Sequence, residues 1–211
     1  MRTLFKLLVV VLALVGASAL AAGAWFMRGG INSQQQPGAV ETAIARRLRA
    51  AAIPSGARQA KNPVQATPEV LEEGMAHFAD HCASCHGNDG GADTAIARGL
   101  YPKVPDMRLA ETQGLSDGEL FYIIENGVRL TGMPAWGTGT PEGVEASWKL
   151  VHFIRQLPKI TEADVEKMKA LNPKSADEWR EEEEARRFLE GGSEPEPKKP
   201  ATPHKHGGQR Q

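Results

Sequence analysis

Cys82-Ala83-Ser84-Cys85-His86 constrains this chain more than any other stretch, because it contains both cysteines that the 211 residues possess. Two residues between the thiols let one short turn present both sulfurs to the same object, and the histidine that follows supplies a nitrogen beside them. C-x-x-C-H is the attachment signature of a c-type haem, in which the sulfurs bond the two vinyl groups and the imidazole ligates iron. Three other readings use the same residues. A dithiol redox centre starts a helix after a strand, with flanks unlike these. A structural zinc site needs four ligands, and no second cysteine pair completes one, although histidines stand at 77, 81, 152, 204 and 206. A plain disulfide leaves His86 without a role.

The segments around the motif say what surrounds it. Thr67-Pro68-Glu69 is a helix start, with an N-cap hydroxyl, proline at the first helical position and an acid in the first turn. The apolar spacing predicts a helix from Pro68 to about His81, with Val70, Leu71, Gly74, Met75 and Phe78 on one face. Gly74 costs about 1 kcal/mol relative to alanine, which makes sense where another helix approaches closely. The partner is the segment 143–157, whose Trp148, Leu150, Val151, Phe153, Ile154 and Leu157 form a broad apolar face. Ser116-Asp117-Gly118-Glu119 is a capping box opening a helix to Asn126, and Gly127 stops it. Met133 lies between Gly132, which permits close approach, and Pro134, which stiffens its loop. A gap-filling role for Met133 is the plain alternative, and His152 is its rival as an iron ligand.

Cys82 to His86 with Gly87, Gly74 and Phe78 before them, Gly132-Met133-Pro134-Ala135-Trp136 and an aromatic terminal helix together resemble a class I c-type cytochrome, over residues 67–158. The resemblance implies a small all-α domain around one covalently attached haem c, with Cys82 and Cys85 as thioether attachments and His86 and Met133 as axial iron ligands. It implies a one-electron carrier rather than an enzyme, with a quinol-oxidising complex as donor and a terminal oxidase or reductase as acceptor. A peroxidase-like haem enzyme and a small-gas sensor with displaceable Met133 are the alternatives. The resemblance further implies that the Pro102 carbonyl accepts a hydrogen bond from the outer nitrogen of His86, unless Pro102 only shapes its loop.

Arg2 and Lys6 precede an uncharged apolar run from Leu7 to Met27, about the 20 residues that cross a bilayer as a helix. Trp25 and Phe26 stand where an aromatic belt lies, and basic residues on the amino side keep that end cytoplasmic. Retained anchor and cleaved leader both fit, since Leu7 to Val15 with Ala17-Ser18-Ala19 also reads as a signal peptide. Either way the haem domain is expected on the extracytoplasmic, periplasmic side, membrane-anchored or soluble. The expected organisation is an anchor or leader at 1–28, a linker with a short basic helix at 29–66, the cytochrome domain at 67–160, a helical acidic extension at 161–190 and a disordered tail at 191–211. The basic helix, around Ile44, Leu48 and three arginines, either touches anionic lipid or lies solvated across the domain. A formal net charge of -1 gives no field for nucleic acid.

Overall fold

A computed structural model describes residues 2–28, 32–174 and 176–189, and among these there is helix but no strand. Helix α1, Arg2–Arg28, is long and apolar enough to cross a membrane, with none of its apolar window buried in the protein. Helices α2, Ala39–Ala52, and α3, Ser55–Gln59, follow, and α3 packs on the start of the helix at 117–126, where the Ser116 hydroxyl donates to the Arg58 carbonyl. Next comes α4, Pro68–His77, capped by the Thr67 hydroxyl, which accepts from the Val70 amide.

The continuous helix expected to His81 is instead interrupted. After His77 the backbone takes a π turn over Phe78–Cys82 and then one α turn, α5, Ala83–His86. A π turn accommodates an extra residue and so rotates the next turn of helix by roughly 100° against a regular register. Phe78 and Ala79 stay in the core while Cys82 and Cys85 come out half-buried. Apolar spacing carries no marker for such a turn, because both registers bury Phe78.

Helix α6, Ala95–Gly99, and the single turn α7, Ala110–Gln113, lead to α8, Asp117–Asn126. Both halves of the expected Ser116/Glu119 capping box are formed, and Gly127 takes φ +65° at the stop. Helix α9, Pro141–Gln156, is the expected aromatic helix; a 3-10 turn, Leu157–Lys159, and α10, Glu162–Lys169, follow it. The core sits where α4 crosses α9, with α8 packed on the other side of α9. Each fully buried aliphatic or aromatic side chain there is worth about 1.5–3 kcal/mol. Phe121 stacks on Trp148 at 4.1 Å and 7°, and Phe78 tilts against Phe153 at 5.2 Å. Arg155 fastens α9 to the start of α8, donating to Asp117 and to the carbonyls of Gln113 and Leu115.

The compact unit runs to Asn172, and Met168 of α10 is fully buried in its core. A second unit begins at Pro173; within it α11, Ala176–Leu189, carries the glutamate run, and Lys174 lies over the Trp179 ring. Ser175, which with Glu178 three residues on reads as a further capping box, and the tail with His204 and His206 lie outside the described residues.

Candidate haem site

The local chain path gathers three of the expected residues by itself. Cys82 closes the π turn, and Cys85 and His86 lie on the α turn that follows it. Both cysteines are free thiols. Burial, with Cys85 close by, pushes the Cys82 thiol up to about 12. A redox dithiol needs the opposite, a thiolate stabilised near neutral pH, so this setting does not suit dithiol exchange. It suits a sulfur held in an apolar crevice.

His86 is buried, with its ring centroid 6.5 Å from that of Phe78. Burial pulls its pKa down to about 4, opposed by the Pro105 carbonyl. The imidazole is therefore neutral at physiological pH, the form that binds a metal. Its Nδ1 is fully buried and finds no partner within hydrogen-bond geometry. The hydrogen bond to the Pro102 carbonyl that the resemblance implied is not formed by Nδ1; Tyr101-Pro102 is a cis peptide. An orphaned buried nitrogen costs about 1–3 kcal/mol, and it stands at the residue expected to ligate iron. A buried, neutral imidazole next to two free thiols fits a covalently held haem.

The loop after the motif is built to hold this turn. Ala92 donates to the His86 carbonyl and Thr94 Oγ1 to the Cys85 carbonyl. Arg108 then clamps the loop ends together, bonding Asp89 at 2.7 Å and Asp106 through a two-pronged contact. That clamp is not legible in the sequence, because its members are 19 and 2 residues apart with nothing between them to mark a pairing.

The loop that carries Met133 approaches the motif only through tertiary structure. The Met133 carbonyl accepts from Val128, and Trp136 and Gly137 donate to the Ile124 and Glu125 carbonyls, so the loop lies folded on the end of α8. A Cβ on Gly127 would stand 2.6 Å from the Pro134 carbon, and one on Gly132 2.7 Å from a methyl of Leu100. Trp136 packs edge-on against His81 at 5.3 Å and 85°. A residue three after Met133 thus touches the residue preceding Cys82. His77 meets His81 edge-on at 4.7 Å and is half-buried. His152 points elsewhere, with Nε2 2.7 Å from the Val64 carbonyl. Met75, Met107 and Met168 are buried core residues.

Residues 69–154 match the family model of cytochrome C oxidase, cbb3-type, subunit III. No curated protein matches the chain. The match spans α4, the motif and nearly all of α9. Residues 69–154 of this chain therefore form a c-type cytochrome domain, an all-helical haem protein domain that carries covalently attached haem c.

Proposed function

We propose that the chain is a one-electron carrier in which Cys82 and Cys85 hold the haem through thioethers and His86 and Met133 ligate its iron from the two faces. The haem supplies the redox chemistry when bound, and the residues supply attachment, orientation and potential. His86 is supported by its neutral, buried imidazole in the turn that carries both thiols. The observation that carries Met133 is the edge-on contact between Trp136 and His81, which brings the methionine loop to the wall of the motif. With both axial positions filled by protein, a carrier rather than a catalyst results. Methionine opposite histidine raises the reduction potential above that of a bis-histidine site.

In this reading α1 is a retained anchor that keeps the domain on the extracytoplasmic face, near a quinol-oxidising donor and an oxidase or reductase acceptor. Confinement to a shared surface raises their effective concentration. The organisation is then anchor 1–28, linker with basic helix 29–66, cytochrome domain 67–160, acidic extension 161–190 and tail 191–211.

Two measurements test the ligand set. The oxidised protein is expected to show a weak near-infrared sulfur-to-iron band that disappears in Met133→Ala. Carbon monoxide is expected to bind the reduced wild type slowly and incompletely, and Met133→Ala rapidly and stoichiometrically. Survival of the band in the variant, or rapid binding by the wild type, overturns the carrier reading in favour of a haem with an open position.

A further inference from the structure

Helix α2 is fastened to the domain by one side and presents an apolar stripe on the other. Glu41 accepts from the Tyr101 hydroxyl, Arg46 pairs with Glu111 at 3.1 Å, and Arg49 has its Nε buried. Ile53, just past the helix, is 2% exposed and seats its end. Val40, Ile44 and Leu48 follow at four-residue spacing and so share one face. They are 69%, 53% and 65% exposed, with exposed Arg47 at the edge of that face. A helix turning aliphatic side chains to water beside a basic residue has the composition of an interfacial helix.

The chain itself says which surface is near. Lys103 Nζ holds the Ser33 carbonyl at 3.0 Å and the Arg98 carbonyl at 2.9 Å, so the domain's grip on the linker begins at Ser33. Only residues 29–33 separate the end of α1 from that point, a reach of at most about 17 Å. If α1 spans the bilayer, the face of the domain that carries α2 cannot leave the membrane surface. Three aliphatic side chains over three turns, with no aromatic anchor, suit a fluid acyl boundary better than a protein pocket.

We propose that the Val40, Ile44 and Leu48 stripe of α2 docks in the headgroup layer of the bilayer that α1 enters, with Arg47 reaching the phosphates, and holds the cytochrome domain against the membrane. This rests on the retained anchor proposed above. It adds a second contact, which fixes the orientation of the domain where a tether alone would leave it free.

The test uses the full haem-loaded chain in vesicles of phosphatidylglycerol and phosphatidylethanolamine. Single variants Ile44→Cys, Leu48→Cys and, as a control on exposed α9 surface, Glu142→Cys carry a nitroxide, and the native cysteines are consumed by the haem. The ratio of oxygen to water-soluble nickel accessibility is expected to be several-fold higher at 44 and 48 than at 142. Equal, water-like ratios at the three positions overturn the docking, and so does dipolar broadening between labels at 44, which would show a second copy covering the stripe. Alkaline carbonate extraction separates the two readings. Retention of the chain with water-exposed labels rejects the docking and keeps the anchor; release of the chain rejects the anchor and, with it, the docking argued from it.

Discussion

Gly74 lies directly beneath the Lys149 carbonyl, so that a Cβ at position 74 would stand 2.6 Å from that oxygen and 3.1 Å from Cβ of Phe153. The backbones of α4 and α9 meet here, and this approach sets how deeply Phe78 and Phe153 interlock. The contact is to backbone, which cannot swing aside. Gly74→Ala gains about 1 kcal/mol of helix propensity, but forcing the helices apart costs more, about 1–3 kcal/mol. A lowered denaturation midpoint of the haem-loaded protein is expected, and a raised one would refute the close crossing.

Arg155 offers a second test of the same scaffold. Its guanidinium satisfies the Gln113 and Leu115 carbonyls as well as Asp117, and it is only 26% exposed. Arg155→Met keeps the stem but strands those acceptors, at about 2–3 kcal/mol for lost charged hydrogen bonds. Chemical denaturation should show this loss with little change in the haem spectrum, since α8 rather than the motif is released.

The Arg108 clamp predicts a pH dependence. The hydrogen bond from Arg108 holds the Asp106 carboxyl below the usual carboxylate range. A carboxylate with a lowered folded-state pKa contributes stability that is present above its unfolded value, about 3.9, and lost as pH falls through the folded value. Asp106→Asn should therefore be less stable than wild type by about 1 kcal/mol near neutral pH, a partly exposed pair being discounted for solvent. The gap should close below about pH 4. Melting temperatures across that range decide it, and a gap that widens on acidification contradicts the clamp.

Trp136 tests how the methionine loop is held. An edge-to-face aromatic pair is worth about 0.5–1.5 kcal/mol, which corresponds to about two- to tenfold in an opening equilibrium. In Trp136→Ala the loop loses its contact with His81, and carbon monoxide should bind the reduced protein up to about tenfold faster while the near-infrared band persists. An unchanged rate would mean that the contact does not restrain the loop.

Much of this fold is legible in the chain alone. The motif, the caps at Thr67 and Ser116, the stop at Gly127 and the reason for Gly74 are local signals, each carried by a few neighbouring residues whose backbone and side-chain chemistry act within one turn. Sequence therefore determined where α4 and α8 begin and where α8 stops. It did not determine the π turn at Phe78–Cys82, the Arg108 clamp or the meeting of Trp136 with His81. Those depend on residues far apart in the chain, or on which of two backbone registers packs better. Only the closed core decides between such options, because the energy that separates them comes from contacts that do not exist until α4 and α9 have crossed.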